Sequence, residues 1–426
     1  MCKIKLISTQ KLNRLITLSV LIFYLLLSCK PDTGQKIAQW RGAERSGIYN
    51  ETGLLNEWTE NGPELLWVYE GIGKGYASPS ILNDKIFVNG EEDGSSFLFA
   101  FDLKGNLLWK SPNGKEFMGE GFSATYPGSR STPTAINNLV YTTSGTGRIA
   151  CFETSTGDEN WAVDIVKDLG GLDSYFGYSE SVVVDNEKVF CFPGGKKNNT
   201  VALDRFTGKI VWSSDAMKDT FSYCSPIIIE LPERKVLITH SRHNLYVVDC
   251  NEGNVLSSYK IEGYEYDGEH CNSPVFDNGD IYFIGNEKKC GAVRLELSQD
   301  GDKLEELWCN PKIKNNFNGY VKVDNHLFTT VKGNWLKALD IENGIVTDSV
   351  KVPTGSLIYA DNKLICYGMN GEVNLLHFNQ NKFDIKGTFK VTIGTDHHFS
   401  HPVLANGVMY IRHGNALLAY KIKTVS

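Results

Sequence analysis

Ala202-Leu203-Asp204-Arg205-Phe206-Thr207-Gly208-Lys209-Ile210-Val211-Trp212 is the stretch from which the fold can be read. Thr200 to Asp204 has the composition of a strand, Thr207-Gly208 that of a tight turn, and Lys209 to Trp212 that of the returning strand. Gly supplies the positive φ that such a turn needs, Asp204 can bond the turn's amides, and Trp212 is large enough to fill the space between neighbouring sheets. Just upstream, Ser181 to Val184 reads as a first strand, Asp185-Asn186 as a turn and Lys188 to Phe192 as a second strand. The unit is therefore four short strands in a meander. Its closing phrase returns as Asp102, Gly105, Trp109 and as Glu153, Gly157, Trp161, then decays to Asp249, Gly253 and Asp340, Gly344 without the Trp.

A second phrase opens each unit: a small residue, Ser or Thr, then often Pro. It stands as Ala77-Ser78-Pro79, Ser131-Thr132-Pro133, Glu180-Ser181-Val182, Cys224-Ser225-Pro226 and Asn272-Ser273-Pro274, with weaker forms at Asn318-Gly319-Tyr320, Gly355-Ser356-Leu357 and Ser400-His401-Pro402. The spacing averages about 46 residues, which suits a propeller blade, and the intervals lack helical periodicity. The last repeat offers only Val403–Leu404, Val408 to Arg412 and Leu417 to Lys421, whereas Glu64 to Glu70, with Trp67, reads as a fourth strand without its three predecessors. Joining the two fragments removes an open sheet edge. The expectation is all-β: an eight-bladed β-propeller of four-stranded antiparallel blades, spanning 63–423 and closed by an N-terminal strand that buries Trp67. Seven blades is the alternative, because the repeat opening at Tyr320 is short.

The quoted stretch resembles the repeat of the pyrroloquinoline quinone (PQQ) enzyme superfamily, Ala-x-Asp-x-x-x-Gly-Lys-x-x-Trp. With Gln39-Trp40-Arg41-Gly42, Gly73-Lys74-Gly75-Tyr76-Ala77-Ser78-Pro79, Arg130-Ser131-Thr132-Pro133 and Pro193-Gly194-Gly195, the wider chain is similar to PQQ-like propeller proteins of environmental bacteria, some labelled polyvinyl-alcohol dehydrogenase-like. The resemblance implies the propeller; a repeat motif records blade packing rather than chemistry. Alcohol dehydrogenases of that superfamily stack the quinone on a disulfide between adjacent cysteines and bind Ca²⁺ through Glu, Asn and Asp, with a second Asp as base. No two cysteines are adjacent here, and no residue matches a calcium or base motif, so no cofactor is expected; PQQ with Ca²⁺ is the alternative.

At the N-terminus, Lys3, Lys5, Lys11 and Arg14 precede an apolar run from Leu15 to Leu27, broken only by Thr17 and Ser19. Roughly 13 residues suits a signal peptide better than a membrane span. The run ends in Leu26-Leu27-Ser28-Cys29, which resembles the lipobox of bacterial lipoproteins. Residues 1–28 are thus expected to be a signal peptide, Cys29 the site of lipid attachment and 29–62 an anchor or linker, in a cell-envelope protein of the outer membrane or facing the periplasm. Removing residues 1–28 lowers the formal charge by four, from −7 to −11. That argues against a nucleic-acid partner. None of the ten cysteines forms a CxxC or CxxCH, so zinc-ribbon, haem and thioredoxin signatures are missing.

In a propeller the loop before each first strand lies at one end of the central channel, so the repeat register selects residues that ring one opening. These are Lys74 and Tyr76, Tyr126 and Arg130, Tyr178 and Glu180, Tyr223, then Glu269, His270 and Asn272, Asn316 and Asn318, and His397, His398 and His401. Unlike polar and aromatic side chains at equivalent positions are what a recognition surface on a symmetric scaffold presents. No metal site is expected, since the histidines of the last loop lie on a blade remote from Glu269 and His270. No catalytic residue is assigned. The functional expectation is a monomeric, non-catalytic, lipid-anchored propeller that binds an envelope protein, a glycan or a small ligand at one ring face and meets the membrane only through its lipid. A scaffold comparable to the propeller lipoprotein of outer-membrane β-barrel assembly is one version. A PQQ-dependent dehydrogenase and a polysaccharide hydrolase or lyase are the competing classes. Cys29→Ser should move the protein from the membrane to the soluble fraction and abolish lipid labelling; a variant that stays membrane-bound and normally processed removes the lipoprotein reading.

Overall fold

In each sheet of the structure, a computed structural model describing residues 37–215, 219–262, 270–286, 289 and 291–424, the strands follow one another as a meander. Eight such sheets stand among the described residues, and the expected signal peptide and Cys29 lie outside them. In the third, Val183–Asp185, Lys188–Cys191, Asn198–Asp204 and Ile210–Asp215 pair antiparallel in order. The repeat opening at Tyr320 is a complete four-stranded sheet, which settles the count at eight. Blades 1 to 7 span residues 80–115, 134–164, 183–215, 227–260, 275–310, 320–351 and 355–390. Blade 8 is composite: Val403–Ala405, Val408–His413 and Ala416–Lys421 are completed by Glu64–Glu70, with Glu64 opposite Lys421 and Glu70 opposite Ala416.

The two repeated phrases hold neighbouring blades together at opposite ends. In the closing phrase, Asp204 Oδ1 accepts the amides of Phe206 and Thr207, and Gly208 sits at φ +69°. That glycine is also a docking surface: a Cβ there would stand 2.7 Å from the Trp161 ring. The Trp161 indole donates to the Arg205 carbonyl of the next blade (2.9 Å). Trp67, Trp109, Trp212 and Trp308 donate in the same way to Leu103, Thr154, Cys250 and Ile341, each against the glycine of that turn. Trp67 is half-buried, not buried as expected: it lies on the outermost strand of its blade, every residue of which is exposed or half-buried. In the opening phrase the serine hydroxyl is the tie. Ser181 Oγ accepts the Thr132 amide, Ser225 Oγ the Ser181 amide and Ser78 Oγ the His401 amide, at 2.8 to 2.9 Å. Hydrophobic clusters fill the layers between blades; one joins Tyr141, Ile149 and Trp161 to Val189, Val201 and Leu203.

Residues 37–62, the described part of the expected linker, are threaded through the ring. Ile37 pairs with Ile136 and Ala38 with Ala135, adding a fifth strand to the inner edge of blade 2. Since Ile136 ends its strand at the lower end, opposite the opening-phrase loops, the chain enters the channel from below. At the top, the Trp40 indole reaches Ser273 Oγ of blade 5 (3.2 Å). Arg45 donates to the carbonyls of Ser181, Val182 and Pro226, on blades 3 and 4. Arg41 donates to those of Tyr320 and Leu357, on blades 6 and 7, and to Nδ1 of His401 on blade 8. The chain then descends past Tyr359, where Ile48 and Tyr49 pair with blade 7, and runs under blade 8 to become its outer strand. Burial draws Arg41 down to about 10 and Arg45 to about 9, so both remain charged at neutral pH.

Trp161→Phe keeps a ring in the gap but removes the indole N–H, and should cost about 1 kcal/mol. Trp161→Ala should cost about 3–5 kcal/mol, both read from urea midpoints. A chain beginning at Tyr76 loses both the blade-8 strand and the channel segment and should be recovered only as aggregate; a soluble, cooperatively unfolding product would contradict the closure.

A candidate ligand cup on the upper face

The channel segment does not fill the upper mouth. Above the Trp40 ring a cup of about 460 Å³ remains. Its wall is contributed blade by blade from the opening-phrase loops: Tyr76, then Phe122, Tyr126 and Arg130, then Phe176 and Ser179. Tyr223, Cys271, Asn316 and Phe317 continue it, and Phe399 and His401 close the circle. The rings form a belt, with Tyr126 to Phe176 at 6.2 Å, Phe176 to Tyr223 at 6.1 Å, Phe317 to Phe399 at 4.9 Å and Phe399 to Tyr76 at 5.2 Å between centroids. Phe122 (63% exposed), Tyr175 (60%) and Met369 (41%) crown the rim.

Polar groups in this apolar wall are few. Arg130 packs against the rings of Tyr76 and Phe117, 5.4 and 5.2 Å from their centroids, and donates to the Tyr126 carbonyl. Burial lowers its affinity for the proton, with Tyr76 and Glu116 opposing. The carboxyl of Glu116 is raised by burial; its Oε1 accepts the amides of Phe117 and Gly145. His401 is held far below the usual imidazole range by burial and by Arg41, so it is neutral and its Nδ1 accepts from that arginine. Among the described residues, three buried polar atoms of the lining side chains have no hydrogen-bond partner: Tyr76 Oη, Arg130 Nε and Asn316 Oδ1. Orphaned donors and acceptors are rare in native interiors and each asks for an explanation. Among the described residues the lining carries no Asp or Glu, and no cluster of His, Cys, Asp and Glu could hold a metal.

The structure brings together Tyr76, Tyr126, Arg130, Tyr223, Asn316 and His401 of the residues selected from the sequence. Lys74 is exposed in a separate depression beside Glu91, Glu92, Asp93 and Asp396. Tyr178 turns inward, stacked on Phe221 and donating to the Leu172 carbonyl. Asn272 and Asn318 are buried, and Asn272 bonds the Ile284 carbonyl and the Gly319 amide. His270 is buried against His240, and His398 is bonded to Tyr367 and stacked on His413. His397 backs the wall against Phe399, and Glu269 lies outside the described residues. Sequence reasoning missed Phe122, Phe176, Phe317 and Phe399, which occupy the same loops, because polar residues were favoured there. It also missed Trp40, whose place depends on the threading.

Glu180 has a different role. Its carboxyl is buried behind Ser179 and Ser181, accepts the Phe192 amide, and is pushed up to about 8 by burial against the opposing pull of that amide and Arg45. Between the usual value of 4.5 and about 8 the folded protein holds a proton that the unfolded chain has released, so stability falls as pH rises through that window. Glu180→Gln should therefore gain stability relative to the parent between pH 5 and pH 8; parallel pH profiles of the urea midpoint would refute this.

A family model described as outer membrane protein assembly factor BamB matches residues 92–349. Among solved structures, BamB from Moraxella catarrhalis superposes with a TM-score of 0.62 at 10% identity, over 84% of this chain and 100% of that one. Saccharomyces cerevisiae Sqt1 gives 0.59 at 9% identity, over 86% and 100%. A quinohemoprotein alcohol dehydrogenase from Pseudomonas putida HK5 gives 0.52 at 14% identity, over 92% and 81%. No curated protein matches the sequence. At these identities the likeness is one of fold, while the family match extends over more than half of the chain: the protein belongs to the family described as outer membrane protein assembly factor BamB.

Proposed function

We propose that this protein is a non-catalytic recognition propeller of the cell envelope, anchored by a lipid on Cys29, which holds part of an envelope partner or ligand in the upper cup. The observation that carries the reading is the cup itself: a belt of aromatic rings with the polar side chains of Arg130, Asn316 and Ser179 set among them. Concave, mostly apolar sites with a few convergent polar groups are the usual form of ligand pockets. Membership of a family described by outer membrane protein assembly favours a scaffold over an enzyme.

The residues present do not fit the quinone chemistry of the dehydrogenase relatives. Ca²⁺ needs several oxygen ligands with carboxylates among them, and among the described residues no carboxylate lines the cup. One guanidinium, that of Arg130, faces what would be three quinone carboxylates, and Lys74 lies outside the lining. A glycosidase would need a pair of carboxyl groups flanking its bond, and the described residues of the same wall offer none. His401 is committed to Arg41 rather than free to move a proton.

A photo-crosslinking residue placed at the exposed Phe122 position should yield discrete adducts in envelope preparations. The same residue at Ile210, on the outer rim of blade 3, should not. Ser179→Trp, which fills the cup, should abolish the Phe122 adducts. Equal labelling from both positions, or adducts insensitive to the filled cup, would remove the reading.

A further inference from the structure

We infer that the cup takes an aromatic or apolar body bearing a single carboxylate, with Arg130 as the residue that reads the charge; this rests on the cup being a ligand site. The guanidinium is positioned before any ligand arrives, packed against Tyr76 and Phe117 and tied to the Tyr126 carbonyl. That single bond uses one of its donors. Nε is buried and out of reach of the cup, so the terminal nitrogens are the donors left to a ligand, and among the described residues no carboxylate lines the cup to answer the charge. The neighbouring acid, Glu116, has Oε1 engaged by two backbone amides, and burial raises its carboxyl. A pre-set planar fork with open donors in an apolar surround matches a carboxylate, which can accept two parallel bonds.

Charge count and wall chemistry narrow the class. Among the described residues Arg130 is the one Lys or Arg in the lining, which suits a monoanion better than a phosphate ester of nearly two charges. Aromatic walls favour an aromatic or branched apolar body, through edge and face contacts. Asn316 lines the same cup, and its side-chain amide can pair with the amide of an N-acylated amino acid. Two sources share this chemistry: a small free acid, and the C-terminal residue of a protein chain.

The test uses the full chain and four probes: N-acetyl-L-phenylalanine, its primary amide, and Ala-Ala-Phe with a free or amidated C-terminus. Binding is read by calorimetry and by the fluorescence of Trp40 on the cup floor, with Trp40→Phe as the control for signal origin. Each free acid should bind at least tenfold more tightly than its amide. Arg130→Gln should collapse the two affinities to the amide's value, while Arg130→Lys should keep part of the difference. The wild-type acid-to-amide ratio needs no variant, so a poorly folded Arg130→Gln leaves the test standing. A tripeptide acid that binds more tightly than the single residue points to a chain end, and the reverse order to a small acid; both support the class. Equal binding of acid and amide, or a preference that survives Arg130→Gln in folded protein, overturns the inference while leaving the cup as a ligand site. No binding of any probe also overturns it, and the Phe122 crosslinking then decides separately whether the cup has an occupant.

Discussion

Eight inner strands converge on a central channel, and carbonyl groups of these strands and their opening loops face it. Buried backbone groups need partners. Here they are supplied by guanidinium groups, which carry five donors in a rigid fork. Arg45 ties blades 3 and 4, Arg41 ties blades 6 and 7 and reaches His401 of blade 8, and Arg412 of blade 8 reaches the Asn89 carbonyl of blade 1. Each arginine links segments far apart in sequence, so the channel becomes the centre of the molecule's long-range order. Trp40 is fixed at the top by the same segment, and with it the floor of the cup.

Around this hub the ring is held by repetition. Tryptophan ties act at the outer strands and serine ties at the inner ones, so successive blades are clamped at both radii. Where the tryptophan is missing the gap is filled otherwise. Ser257 of blade 4 donates to the Gly301 carbonyl of blade 5, and Trp58 from the threaded segment packs on Gly387 and Phe389 of blade 7. Sequence divergence in the later repeats therefore changes the chemistry of the clamp without opening the ring.

Much of this was legible because the repeat constrains itself. Asp, Gly and Trp at fixed offsets announce a turn and its neighbour, and the incomplete ends at Glu64 to Glu70 and Leu417 to Lys421 could be joined by elimination. Strand limits moved by one to three residues, as at Ile210–Asp215, where the pattern carries no stop signal. The circle of loops was legible too, since register alone places Tyr76, Tyr126, Arg130 and Tyr223 at one mouth. Which side chains point inward was not. Tyr178 and Glu180 belong to the right loop but fold into the wall, because alternate residues of an extended segment face opposite sides. The path of residues 37–62 has no local signature, since its partners, from Ser181 to His401, lie one to several hundred residues away.

The threading also decides how the cup is reached. Ile37 joins blade 2 at the end of the channel remote from the cup. The threaded segment thus occupies the channel, with the Trp40 ring between the lower entry and the cup. The ring is a blind-ended vessel in consequence: an occupant of the cup enters and leaves by the upper mouth alone, and nothing is passed through the propeller.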